Sequence, residues 1–345
     1  MFIHNRKDLL IGPSGLGENH VIINRVSDQS APARWSVMIP TYNCALYLRE
    51  TLKSVLSQDP GPANMQIEVV DDCSTNDDPE AVVREVGSGR VGFYRQPKNV
   101  GHTRNFDTCL QRSRGHLVHL LHGDDYVRPG FYTKLGSAFT ADHSIGAAFC
   151  RTIFTDQNGH WISFSDLEKQ EPGILENFAE RLALQQRIQT PSMVVRRSVY
   201  EHLGGFDARL SWTEDWEMWL RIAASYPIWY EPEPLAVYRL HKNSSTSNKI
   251  LTGENVQDLR RCISINCARF PEPIAHRVRS AALETYAHYA LGTMRQLLSE
   301  GRKQAAYIQF REALRCHAGL GVIVKAARSL VAHTLRRSPN KPLPT

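Results

Sequence analysis

Nowhere does this chain of 345 residues approach the roughly 18 uncharged apolar residues needed to cross a bilayer. A membrane-spanning protein is therefore not expected. Residues 1–20 lack the apolar core and small-residue cleavage site of a secretory leader. Seven cysteines are an odd number at irregular spacing, with no CxxC pair and no Cys/His cluster of zinc spacing. They read as reduced, structural thiols of a cytoplasmic protein. Gly12-Pro13-Ser14-Gly15-Leu16-Gly17 is glycine-rich but does not form GxGxxG, and no Lys-Ser/Thr follows for a phosphate loop, so a flexible leader is the better reading. No internal repeat is evident; Ala305–Leu314 resembles one helical-repeat unit, and one copy makes no array. The basic residues sit in no nucleic-acid-binding module, so a nucleic-acid partner is not expected.

What is present is ordinary globular composition, 42% hydrophobic and 22% charged, enough for a sizeable core. The length suits one large domain with an appendage. The net charge of +6 is uneven. Residues 252–345 carry 15 Lys+Arg against 6 Asp+Glu, a balance of +9, leaving 26 against 29, or −3, elsewhere. An acidic body with a basic tail fits a metal-using domain joined to a surface-seeking segment; solubility alone is the plainer reading of the tail.

Residues 1–34 read as a partly flexible leader. Trp35-Ser36-Val37-Met38-Ile39 is then a buried-strand run halted by Pro40, followed by a helix with Leu48, Leu52, Val55 and Leu56 on one face. A strand at Ile67–Val70, a helix at 79–86, a strand at Val91–Tyr94, a helix at 103–113 and a strand at Leu117–Leu121 follow. This alternation predicts a parallel sheet with crossover helices. Ligands gather at the carboxyl ends of such strands, where Thr41-Tyr42-Asn43, Asp71-Asp72 and Asp124-Asp125 fall. From about Leu251 the pattern turns helical: Ala281–Leu298, Lys303–Cys316 and Val322–Arg337. In the last of these Val324, Ala327, Val331 and Leu335 share a face with Lys325, Arg328, Arg336 and Arg337 around it. It suits either contact with an anionic membrane or packing on the catalytic domain. Residues 338–345 are expected to be disordered.

Six blocks fall in order over residues 35–245: Val37–Asn43, Val69–Thr75, Asn99-Val100-Gly101, His122-Gly123-Asp124-Asp125, Gly204–Asp207 and Glu214–Arg221. In these the sequence resembles the inverting family-2 glycosyltransferases of the GT-A fold. The resemblance implies an α/β, Rossmann-like, mostly parallel sheet flanked by helices over residues 35–250, with a C-terminal α-helical extension over 251–337. It also implies a nucleoside-diphosphate-sugar donor, with UDP the commonest base and GDP or dTDP open. The acceptor would be a hydroxyl of a glycan, polysaccharide or lipid-linked glycan at the inner face of the membrane.

Carried over residue by residue, Pro40, Thr41, Tyr42 and Asn43 would line the base and ribose, with the Tyr42 ring as a platform. Asp72, beside Asp71, would accept the ring N–H of uracil, and Asn99 and Gly101 would shape the flanking loop. As plain local chemistry the same residues make a cap and turns. Asp124 and Asp125 correspond to the family's metal motif, holding Mn²⁺ or Mg²⁺ on the diphosphate, with one acid free for the ribose. His122 stands where the first Asp of Asp-x-Asp is common. His241, in Tyr238–Ser245, is either a third metal ligand, as in relatives, or a surface histidine. Arg221 and Arg239 would meet phosphate or pair with nearby acids. Asp215, at a helix start where the dipole favours a carboxylate, would be the general base toward the acceptor hydroxyl, with Glu214 supporting it. One base and no second, nucleophilic carboxylate imply a single inverting displacement. A nucleotidyltransferase would carry a basic glycine loop in place of Pro40–Asn43. A non-catalytic sugar-nucleotide sensor or scaffold would not need Asp215 and Asp124-Asp125.

Overall fold

The computed structural model describes residues 18–26, 33–241 and 245–336. The glycine-rich stretch at 12–17 and the tail at 338–345 lie outside the described residues. The chain divides into two compact units: residues 1–182 with 186–241, and residues 183–185 with 242–345.

The first unit opens with the expected alternation: β1 (Trp35–Thr41), α1 (Ala45–Leu56), β2 (Met65–Asp71), α2 (Pro79–Gly87), β3 (Gly92–Arg95), α3 (His102–Arg112) and β4 (Leu117–Leu120). It continues through β5 (Tyr126–Val127), α4 (Phe131–Ala141), β6 (Ala147–Thr155), β7 (Trp161–Phe164), β8 (Gly173–Ile174), α5 (Phe178–Leu184), β9 (Met193–Arg196), α6 (Arg197–Leu203), α7 (Glu214–Ser225) and β10 (Ile228–Arg239). The sheet runs β3-β2-β1-β4-β9-β6-β10-β5, with β7 beside β6 and β8 beside β10. Its β3-β2-β1-β4 half is parallel. Beyond β4 it is mixed, because β9 is antiparallel to both β4 and β6 while β6 and β10 are parallel. β1 and β2 are buried on both faces, which explains their continuous apolar reading. Val37, Ile39, Val69, Leu48 and Leu52 share one core with Phe131 and Leu135 of α4.

One expectation changes here. β1 does not stop at Pro40 but runs through it to Thr41. The Pro40 carbonyl faces the β4 side, where it accepts the Gly123 N–H at 3.0 Å. The ladder with β4 ends at Met38–Leu120, so the proline sits past the last paired position on that side. Within the expected leader, residues 19–24 are held in place. Asn19 and Val21 accept backbone N–H bonds from Ala208 and Gly205 at 3.0 and 2.7 Å, Arg197 donates to the Asn24 carbonyl at 2.7 Å, and Ile23 is buried. An apolar side chain and paired carbonyls within a polar-looking segment fasten it to the Gly204–Asp207 block.

The second unit comprises α8 (Ser245–Thr252), α9 (Glu254–Cys267), α10 (Glu272–Ser299), α11 (Lys303–Cys316) and α12 (Leu320–Arg336). The division falls after His241 rather than after residue 250, because α8 is part of this helical unit: its Ile250 and Leu251 pack on the same core. That core joins Val256, Leu291, Met294, Leu297, Ala313 and Val322. Glu312, fully buried, is held by Arg260 and Arg315 at 2.6 and 2.7 Å. No helix among the described residues is long and apolar enough to cross a membrane.

Candidate active site

Because β1, β2 and β4 are parallel, their carboxyl ends deliver three polar segments to one edge of the sheet. At the end of β1, Asn43 takes a positive φ of 50° and its side-chain oxygen accepts the N–H groups of Thr75 and Asn76 at 2.9 and 3.0 Å. At the end of β2, Asp71 is fully buried. It accepts the Ser74 hydroxyl at 2.5 Å and Arg95 Nε at 2.8 Å, and Ser74 in turn receives the Asn43 N–H at 2.8 Å. Asp71 and Asn43 therefore brace the two strand ends against each other. Tyr42 is left with its ring 46% exposed. Asp72 holds a different loop, accepting Val100 N–H at 2.7 Å and Gly101 N–H at 2.9 Å. Gly101 has φ of 83°, a conformation that favours glycine, and Asn99 closes a local turn onto its N–H at 3.2 Å.

The loop after β4 carries His122, Asp124 and Asp125. Gly123 is required there, since a Cβ would lie 2.8 Å from Thr41 Oγ1 and 2.9 Å from Cys44 Sγ. His122, Asp124 and Asp125 each offer one ligand atom, and these atoms lie within 4.8 Å of one another. Asp125 is buried; its Oδ1 accepts the Arg239 backbone N–H at 2.9 Å, its Oδ2 lies 3.5 Å from His122 Nδ1, and His122 Nε2 is buried without a hydrogen-bond partner among the described residues. Two carboxylates and an imidazole converging within 4.8 Å, with the buried His122 Nε2 unsatisfied, are a donor set that fits a divalent cation. His241 reaches the same loop: its Nε2 lies 2.8 Å from Asp124 Oδ2 and its ring centroid 5.0 Å from that of Tyr47. Arg239 secures the loop from beneath, donating to the Asp124 carbonyl at 3.0 Å and pairing with Glu50.

On α7, Asp215 accepts its neighbour Trp216 N–H at 2.6 Å and the Thr190 hydroxyl at 3.1 Å. Trp216, fully buried, anchors the helix by donating its indole N–H to the Leu182 carbonyl at 2.6 Å. Glu214 Oε1 lies 3.0 Å from His102 Nε2, at the start of the helix that follows the Asp72 loop. Phe106 stacks on His122 at 5.2 Å and stands edge-on to His102 at 5.7 Å. Through these rings the acid pair, the Asp72 loop and the head of α7 are brought together, and the Asp215 charge acts on the His122 ring.

Electrostatics follow from this crowding. Burial, then the charge of Glu214, pushes the Asp215 carboxyl up to about 7. Burial likewise raises Asp125 to about 6. Burial opposes ionisation of Asp124 as well, but the His241 hydrogen bond and the two nearby imidazoles outweigh it, so its pKa is lowered. At His122 burial disfavours the cation, yet Asp125, Asp124 and Asp215 together raise its pKa. Thr190 holds the charged form of Asp215, so Thr190→Val is expected to move the acidic limb of the kcat/KM profile to higher pH. Rate measurements from pH 5 to 9 would check this; an unmoved limb would remove Thr190 from the role.

Of the residues singled out in the sequence, Arg221 and the Gly204–Asp207 block lie apart from these strand ends. The Arg221 guanidinium is buried, pairing with Glu217 at 2.9 Å and capping the Leu203 and Gly205 carbonyls at 2.5 and 2.8 Å. It is a structural clamp between α6 and α7. Arg239 is likewise committed to the loop beneath the acid pair. Sequence reasoning missed His102, Thr190 and Glu50, which lie far along the chain from their partners and carry no spacing signal. The order of elements around His122 could not reveal that Phe106 packs on its ring.

Comparisons with known proteins agree with this arrangement. Residues 36–204 match Glycosyl transferase family 2. An "Uncharacterized glycosyltransferase RT0329" of Rickettsia typhi is 23% identical over 216 residues, 62% of this chain and 66% of that protein. Among solved structures, S. aureus TarS 1-349 in complex with UDP-GlcNAc superposes with a TM-score of 0.57 at 16% identity, covering 82% of this chain and 91% of that one. The mannosyltransferase PcManGT of Pyrobaculum calidifontis, in complex with GDP-Man and Mn²⁺, gives 0.52 at 18% identity over 91% and 90%. With its mixed GT-A sheet and the matched segment spanning β1 to the Gly204 turn, the chain carries a glycosyl transferase family 2 segment over residues 36–204 and is a glycosyltransferase.

Proposed function

We propose that the protein transfers a sugar from a nucleoside diphosphate, UDP in the first instance, to a hydroxyl of a glycan or lipid-linked acceptor, with a divalent cation on the diphosphate and inversion at the anomeric carbon. The observation that carries this reading is the His122–Asp124–Asp125 cluster at the strand ends that hold Asp72, linked through Phe106 and His102 to Glu214 at the head of α7. The UDP-GlcNAc bound by TarS and the GDP-Man and Mn²⁺ bound by PcManGT support the donor class and the cation.

In this mechanism Tyr42 offers its exposed ring to the base, while Asp72, fixed by two backbone N–H groups, has lone pairs left for a ring N–H of the nucleotide. Asp124 and Asp125 would hold the cation, Mn²⁺ or Mg²⁺, with His122 and His241 as the nitrogen donors within reach. When bound, such an ion neutralises charge developing on the leaving diphosphate. Asp215, ionised, accepts the proton of the acceptor hydroxyl as that oxygen attacks the anomeric carbon from the face opposite the leaving group. A carboxyl with pKa about 7 is matched to that task at neutral pH, since it is both substantially ionised and basic enough to take a proton. Glu214, held by His102, would orient the acceptor beside it.

The direct test is thermal-shift titration of the protein with UDP, GDP and dTDP, each with and without Mn²⁺. A rise in melting temperature that needs both nucleotide and metal is expected with UDP. No shift with any of the three would overturn the donor assignment.

A further inference from the structure

We propose that the N-terminal half of α12 is a membrane-contacting surface that lies flat on an anionic lipid bilayer. Between Leu320 and Arg328 this helix is sharply two-sided. Val322 and Ala326 are 1% and 3% exposed and belong to the core of the helical unit. Leu320, Ile323 and Val324 are 79%, 47% and 38% exposed, and Ala327 is exposed with them. At about 100° per residue, positions 320, 323, 324 and 327 form one stripe, turned away from the packed pair, and Arg328 and Lys325 border it on one side. A helix already anchored by one apolar face has no packing reason to carry a second. Contiguous exposed apolar side chains flanked by cations have the form of an interfacial helix.

Charge identifies the occupant. Residues 252–345 carry 15 basic against 6 acidic side chains. Two of those acids, Asp258 and Glu312, are buried against Arg261, Arg260 and Arg315. With these two acids and their three arginine partners set aside, 12 basic side chains remain against 4 acidic ones, the positive balance that attraction to anionic headgroups requires. An apolar protein partner would need the stripe and not the cations; an acidic polymer would need the cations and not the stripe. A bilayer with anionic headgroups uses both.

The experiment is co-sedimentation of the full chain with vesicles of phosphatidylglycerol and phosphatidylcholine in equal parts, beside vesicles of phosphatidylcholine alone. Recovery is expected on the anionic vesicles, at least tenfold weaker on the neutral ones, and falling as salt screens the headgroups. Leu320→Asp with Ile323→Asp should reduce recovery at least tenfold, with an unchanged melting temperature showing that the core beneath is intact. Arg328→Glu should weaken binding at low salt and flatten its salt dependence. Equal recovery on neutral vesicles, undiminished recovery of the Asp variant, or concentration-dependent self-association in place of vesicle binding would each overturn the proposal. None of these readouts depends on sugar transfer, so the membrane surface and the proposed reaction stand or fall separately.

Discussion

Asp215→Asn is expected to lower sugar transfer by about 10²- to 10⁴-fold, the range usual for loss of a general base, while leaving nucleotide binding unchanged. The amide keeps the shape of the carboxyl and can retain the Thr190 contact, but it cannot accept the proton. Stability should move the other way. Burial and Glu214 raise the folded-state pKa of Asp215 to about 7, whereas in the unfolded chain it lies near 3.9. A raised carboxyl supports the fold fully while protonated, and that contribution is lost as pH climbs from about 4 through 7. Above neutrality the parent therefore holds an ionised group in a site that disfavours it, and the Asn variant should melt at or above the parent temperature at pH 8. Loss of turnover without loss of stability marks a residue kept for chemistry. Turnover within threefold of the parent would remove the base assignment; a lower melting temperature would make Asp215 a structural acid. In the parent, the acidic limb of kcat/KM should fall near pH 7, because activity rises as the base ionises.

The second large effect concerns the loop after β4. Asp124→Ala with Asp125→Ala should abolish Mn²⁺ binding, read by calorimetry or by the Mn²⁺ resonance signal in the presence of UDP. Transfer should fall on the order of 10³-fold, since charge neutralisation at a leaving diphosphate contributes several kcal/mol. Asp125 also accepts the Arg239 N–H, so the double variant alone could lose activity by loosening the loop. Asp124→Asn separates the causes. Its side chain faces His241 and is not part of that brace, so a stable protein without Mn²⁺ affinity is expected. Full activity of the parent in EDTA would remove the cation from the mechanism.

Much of this was legible in the residues, for definite reasons. Strand and helix periods differ, so Val37–Ile39, Ile67–Val70 and Leu117–Leu121 stood out against the helical stretches between them. Parallel strands, once inferred, put their carboxyl ends together without further information, which is how Asn43, Asp72 and Asp124 could be assigned to one edge. Sequence patterning failed where interactions replaced it. The antiparallel β9 inside an otherwise parallel run, the strand passing through Pro40 and the fastening of Asn19–Asn24 all depend on partners remote in the chain.

The sequence by itself determined the alternating first half, the acidic strand ends, the basic helical tail and the residue types able to hold a cation and take a proton. These follow from local periodicity and side-chain chemistry, which a linear chain already contains. Only the tertiary structure decided that His102 meets Glu214, that Thr190 holds Asp215, that Arg239 braces the acid pair while Arg221 is merely a clamp, and which side of α12 is left bare. Those outcomes depend on burial and on distances of about 3 Å between residues remote in sequence, and neither quantity exists until the chain has folded.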